Sequence, residues 1–585
     1  MRLGVKRCAK GAKRGTLKQD HQQNGFDGNV ARWLVFLALV SVVWMTGCAS
    51  SRSKSATAQR GETAAAATNI DKGNPEALAH WAAGVSYELS ENDDKALDEF
   101  DKSAASDPGH EALVLELAQR HLRNHQADKA IALLTESAKR PEASADILSW
   151  LARAYLQTGN TNAALAEGRK AVERDPKSLD AYESLLEGYL GTGQTGEASK
   201  LLMRASGSVD RDPRSLTAVA DFYATYLRSA PKDTKSQARA VALLDGAAGM
   251  KFSSARLWQH TADLYERLGE SKKAAAIYER LLSDAADTSS EKQGFRQQLA
   301  QIYLEADDKT NALRQLQAIV RDDPTRFPNA WFALGEIAEQ NEKFADAVDD
   351  FQNAIRAKPE LEPAYYDLSL AQANLHETAD ALKTLETARA RFNNPFRYEF
   401  YSALVQREAK NYPEAIRHLT AAETVAKATA PDLLDKAFYF ELGAAYERNH
   451  QFAEADQYLQ KAIDLDPSFA EAMNYLGYML ADRGEQLGRA RNLIERAIQI
   501  DPKNSAFLDS MGWTFYKLKQ PDQALPWMLK AVASSPEPDA TVLDHLGDVY
   551  LSLRQVDKAL DTWRKSLSIE PSEDVKKKID VNSRS

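Results

Sequence analysis

A unit of about 35 residues recurs along this chain, and a period of that length decides what the chain can fold into. Between Glu471 and Pro571 the unit is written three times with little variation. Leu476-Gly477, Met511-Gly512 and Leu546-Gly547 hold the same place in successive units. After each glycine comes a small residue (Ala490, Ala524, Ala559), then a bulky one (Ile494, Met528, Trp563), then a small one again (Ala497, Ala531, Ser566). Each unit closes on a proline: Pro502, Pro536 and Pro571. The apolar residues around the glycine have helical spacing, with the glycine where a neighbouring helix must come close. The small and bulky positions lie on one face of a second helix, which Asp501-Pro502 ends. The unit is therefore a helix pair, and the expected fold class is all-α.

These units resemble the tetratricopeptide repeat (TPR), whose consensus joins a Trp-x2-Leu-Gly-x2-Tyr helix to an Ala-x3-Phe-x2-Ala helix and a proline. The resemblance implies a helix-turn-helix solenoid wound as a right-handed superhelix. Aligning the glycine-like and alanine-like positions places about fourteen repeats. Their glycine positions fall at Gly84, Ala118, Ala152, Leu186, Ala220, Ala262, Ala300, Gly335, Ser369, Ala403, Gly443, Gly477, Gly512 and Gly547. Extra residues near Ala230-Pro231-Lys232, over 284–294 and over 427–432 suggest joints. The expected sub-arrays are then 75–254, 255–430 and 431–573, with a capping helix and tail at 574–585. Lys576-Lys577-Lys578 reads as the solvated end of that helix rather than a nucleic-acid patch.

The first 47 residues have a different character. A basic stretch precedes an apolar run from Trp33 to Met45, too short to span a bilayer comfortably. It ends in Met45-Thr46-Gly47-Cys48. This resembles a bacterial lipoprotein signal, which implies cleavage between Gly47 and Cys48 and lipidation of Cys48. A start at Val30 would give a compact leader and leave residues 1–29 untranslated. Residues 48–74 are small and polar beyond the cysteine, as in a flexible tether. Ala49, following the cysteine, implies sorting to the outer membrane, facing the periplasm.

Composition narrows the function. The formal charge is −10, and loss of the basic leader makes it −16, which disfavours nucleic acid and anionic lipid as partners. Of two cysteines, Cys8 leaves with the leader, so neither a disulfide framework nor thiol catalysis is expected. Gly191-x-Gly193-x-x-Gly196 spells a dinucleotide fingerprint, but that motif works only between a strand and a helix. Here it fills the turn of repeat four. His121 and His125 have metal-ligand spacing, yet His121 occupies a slot where other repeats pack Tyr155, Tyr189 or Tyr446. No catalytic residue, cofactor or metal site is assigned.

What the repeats offer is a groove. The family resemblance puts position five of each first helix on the concave face. That gives an apolar stripe of Phe332, Tyr366, Phe400 and Phe440, with Leu370 and Leu404 at position nine. The alternative is that these rings are core. The next three units turn acidic and aromatic: Asn474, Asp509 and Asp544 at position five, Tyr478, Trp513 and Asp548 at position nine, then Tyr516. A basic or sugar-like ligand suits that chemistry; a solvated helix face is the plainer reading. The expected function is a lipid-anchored periplasmic scaffold for envelope proteins, held to the membrane by acyl chains. A module binding a glycan, polysaccharide or murein, is the alternative.

Overall fold

In a computed structural model the described residues are 74–583, without 251–253, 286–289 and 536. The leader, Gly47, the proposed lipidation site Cys48, the tether and Pro536 lie outside them. Among the described residues there are twenty-nine α-helices, one short 3-10 turn and no strand. They form fourteen helix pairs, from Pro75–Leu89 with Asp93–Ser106 to Ala540–Ser552 with Val556–Ile569, and Glu573–Asn582 follows the last pair. The all-α fold and the repeat count agree with the sequence reading. The described residues divide into two compact units. One holds the first seven pairs and ends at Asp323; the other starts at Pro324 and holds the last seven with the terminal helix. None of the described helices is long and apolar enough to cross a membrane.

The turn inside each pair is nearly constant. Its central residue has positive φ in thirteen of the fourteen pairs, from Glu91 at 56° to Arg554 at 61°. The next amide then reaches back to the carbonyl five residues earlier, as Gln126 to His121 (2.8 Å), Gln194 to Tyr189 (2.8 Å) and Gln555 to Tyr550 (2.9 Å) do. That bond satisfies an end-of-helix carbonyl that would otherwise be orphaned. The exception is repeat five, where Ala230-Pro231-Lys232 lengthens the turn. Gly193 (φ 71°) is the turn residue of repeat four, between the helices Leu179–Gly191 and Thr195–Ser208. The fingerprint glycines thus shape a helix-helix turn and meet no strand. At the start of many first helices a side chain caps the free amides; Ser144, Ser178, Asn504 and Asp539 all accept in this way.

Close packing within a pair follows the glycine and the bulky residue of the second helix. A Cβ on Gly335 would lie 2.5 Å from Phe351, on Gly477 2.6 Å from Ile494, and on Gly547 2.3 Å from the Trp563 indole nitrogen. The bulky side chain fills the space the glycine leaves. Ala490, Ala524 and Ala559 are fully buried beside it. Ser566, which replaces the second alanine in repeat fourteen, donates its hydroxyl to the Ala540 carbonyl at 2.7 Å. Its polarity is thereby met inside the core.

His121 is core as well. It is buried, with Nδ1 2.9 Å from Gln126 and Nε2 2.7 Å from Asp101, so both ring nitrogens are engaged. His125 sits in the turn at φ 57°. The pair does not share a ligand site.

Two glycine substitutions separate packing from backbone freedom. Gly547→Ala should destabilise repeat fourteen by about 1–3 kcal/mol, because the Trp563 indole must move. Gly207→Ala meets nothing within 4 Å, and should stabilise its helix by about 0.5–1 kcal/mol. Urea melts of the two variants against the parent chain check both signs.

Candidate interaction surface

The apolar stripe of repeats eight to eleven is divided between core and surface: Tyr366 and Phe440 are buried, the other four half-buried. Phe332 lies against Phe351, ring centroids 5.6 Å apart. Tyr366 is 1% exposed; it stacks on Tyr401 at 4.6 Å and donates its hydroxyl to Glu362 at 3.1 Å. Phe400 contacts Tyr401, Phe396 and Phe438, and Phe440 is buried against Phe469 and Tyr475. Leu370 and Leu404 remain half-buried, as do Phe332 and Phe400. The rings run on as a ladder, Tyr366–Tyr401–Phe400–Phe438–Tyr439–Tyr458–Tyr446, each step 4.6–6.1 Å. Aromatic area therefore joins consecutive repeats to one another, and only the half-buried members present an edge to a partner.

The acidic and aromatic residues of repeats twelve to fourteen are brought together, as part of an ionic network. The first helices here are Ala470–Arg483, Ser505–Lys517 and Ala540–Ser552. Asp509, 1% exposed, accepts from the Nδ1 of His545, which lies 3.0 and 3.1 Å from its two oxygens. The Trp513 ring stacks on His545 at 4.0 Å and on Tyr516 at 4.8 Å. Its indole N–H donates to Asp482 at 3.0 Å, and Lys517 Nζ sits 3.2 Å from the same carboxylate oxygen. Tyr478 lies 6.3 Å from His545. Asn474 is buried, and its Oδ1 has no hydrogen-bond partner. Asp544 and Asp548 both receive Lys578 from the terminal helix, at 2.6 and 2.5 Å.

Charge explains the protonation states. Burial pushes the His545 pKa down, but the Asp509 carboxylate, helped by Asp544 and Asp548, outweighs it and holds the group above its ordinary value. Burial raises the Asp548 carboxyl, and Asp544 beside it adds to the rise; Lys578 opposes both. The lysine run thus divides: Lys576 and Lys577 are exposed, while Lys578 folds back onto two carboxylates.

His545, Asp482 and Lys578 complete this network, and none of them was singled out by position in the repeat. The signal was spacing. His545 follows Asp509 by 36 residues, and Lys578 follows Asp544 by 34, each about one repeat on. Pairing across one period links the first helices of neighbouring units.

The His545–Asp509 pair gives stability a defined pH sense. A histidine whose folded pKa is raised contributes fully below its unfolded value, and that contribution disappears as pH rises through the folded one. Hydrogen exchange over residues 505–569 should therefore show more protection at pH 6 than at pH 8, and His545→Asn should flatten the difference. Asp509→Ala, which leaves the imidazole buried without its partner, should cost about 3–5 kcal/mol.

Known proteins place the repeat. The tetratricopeptide-repeat family matches residues 285–567, and two further matches to the same repeat cover 115–178 and 257–293. No curated protein matches the chain. Among solved structures it is similar to a chain of the Cut9–Hcn1 hetero-tetramer of APC/C, at 16% identity, over 80% of this chain and 95% of that one, with a TM-score of 0.34. A tetratricopeptide repeat protein from Parabacteroides merdae is 13% identical over 44% of this chain and 98% of its own, with a TM-score of 0.36. Yeast Tom70 is 15% identical over 80% and 95%, with a TM-score of 0.35. These likenesses have no bearing on function. The helix pairs, their glycine-to-bulky contacts and the family matches agree: the described residues form an array of tetratricopeptide repeats.

Proposed function

We propose that this chain is a lipid-anchored scaffold of the cell envelope, which binds other envelope proteins along its repeats. The observation that carries the reading is the array itself. Helix pairs occupy the described residues from Pro75 to Ile569, and each family match is to the repeat. In such an array the glycine, alanine and bulky positions are spent on packing, so the residues between them are left to meet a partner. Half-buried Phe332, Leu370, Phe400 and Leu404 supply apolar edges.

The leader supports the anchor. Its basic stretch, the apolar run Trp33–Met45 and Met45-Thr46-Gly47-Cys48 suit lipidation at Cys48, with residues 49–74 as the tether. Two or more acyl chains give stable membrane attachment where a surface of charge −16 would not. Ala49 favours the outer membrane, facing the periplasm.

A glycan partner in exopolysaccharide export or murein-synthase regulation would use Trp513 and Tyr516 as a stacking platform. Trp513 is 8% exposed, stacks on His545 and already donates its N–H to Asp482. That leaves little of its ring face open for a sugar to stack on.

Fractionation and crosslinking test the reading. Cys48→Ala should move the protein from the membrane to the soluble fraction; unchanged association would end the lipid anchor. Mild crosslinking of the tagged parent chain should recover one or more envelope proteins reproducibly, and recovery of none would end the scaffold.

A further inference from the structure

The last repeat of a solenoid leaves one face without a following unit, and here the helix Glu573–Asn582 covers it. Its inner face is set by helical spacing: Val575, Lys578 and Ile579 lie together. Val575 is buried against Ala559, Leu560 and Trp563, and Ile579 packs beside it. Lys578 reaches between Asp544 and Asp548, with its Nζ 5.6 Å from the Trp563 ring centroid. Both carboxylates stand on one face of the first helix of repeat fourteen, four residues apart. Without a cation between them they would repel at close range. The floor of this groove therefore demands a positive charge with aliphatic neighbours.

The helix that meets the demand is weakly held. It has ten residues, fewer than an isolated helix needs to persist in water. Val575 is its one fully buried residue, and Val581 is left 68% exposed. Segments with so few buried contacts open at low free-energy cost. An amphipathic helix of a partner with the same inner face would compete for the same floor.

We propose that Asp544 and Asp548, with the apolar floor at Trp563, form a docking site for an amphipathic helix of a partner protein that presents a lysine flanked by aliphatic residues. The chain's own Glu573–Asn582 is the resident competitor, and docking displaces it. This deepens the scaffold reading and rests on it only in taking the occupant to be a protein.

The test uses the full chain and a fluorescein-labelled peptide of residues 570–585, read by anisotropy. Val575→Asp with Lys578→Glu releases the resident helix. The released chain should bind the peptide about thirty-fold tighter than the parent does, and adding Asp544→Asn with Asp548→Asn should abolish that gain. A Lys578→Glu peptide should not bind. Should the released chain bind both peptides alike, or neither, the site is overturned. Hydrogen exchange on the unmodified parent is independent of any variant's folding. Residues 573–582 should exchange well ahead of 556–569, and equal protection would make the helix a fixed cap and overturn displacement. Sedimentation covers the remaining occupant: a dimer that trades terminal helices would assign the groove to a second copy and overturn the partner. Failure of the crosslinking experiment would leave these peptide measurements unaffected.

Discussion

Everything in this protein depends on how closely two helices can approach within one repeat. The approach is set by a glycine or other small residue on the first helix and a large side chain on the second, with no atom to spare between them. Gly547 and Trp563 are the extreme case: the indole occupies the volume a methyl group would need. Once that contact fixes the pair, the buried alanines and the left-handed turn residue follow, because they alone keep the second helix in register. The contact is made with glycine in repeats one, eight and eleven to fourteen, and stability is distributed along the array as a sum of unit and interface terms. A weak unit is carried by its neighbours.

Onto that frame the terminal repeats add a second kind of bond, from the first helix of one unit to the first helix of the next or, in repeat fourteen, to the helix that follows it. Asp509 with His545, Trp513 with Asp482, and Asp544 and Asp548 with Lys578 are all of this type. Buried ionic contacts of this sort specify register more than they add stability, since desolvation consumes much of the Coulombic gain. Repeats nine to eleven achieve the same linkage with packed rings. The two stretches solve one problem, joining near-identical units in a single order, with different chemistry.

The frame was legible in the sequence because it is local and periodic. Gly477 and Ile494 are seventeen residues apart, and the same contact recurs in repeats thirteen and fourteen, so a pattern search finds it. The side-chain network was not legible in the same way. Position five of the first helix left two readings open, groove lining or core, and Tyr366 and Phe440 are covered by rings from the adjacent repeat. Position names a face of the helix; the bulk of the neighbour decides whether that face stays open. Asp544 and Asp548 were read as part of an acidic pocket, because Lys578 lies one unit further on, in a capping helix whose lysines read as solvated.

The inward turn of Lys578 has a physical lesson about repeat ends. A terminal repeat exposes a face chemically equivalent to those its neighbours bury, and something must cover it. A sequence cap can be polar on the outside and still carry, on its inner face, the specific groups the preceding unit requires. Lys576, Lys577 and Lys578 look alike in composition, and helical geometry sends only the third inward, onto two carboxylates. The same geometry makes the cap a description of its own replacement: whatever displaces it must bring a cation and aliphatic neighbours at that spacing. The end of the array is thus where the packing frame and the recognition chemistry meet in one element.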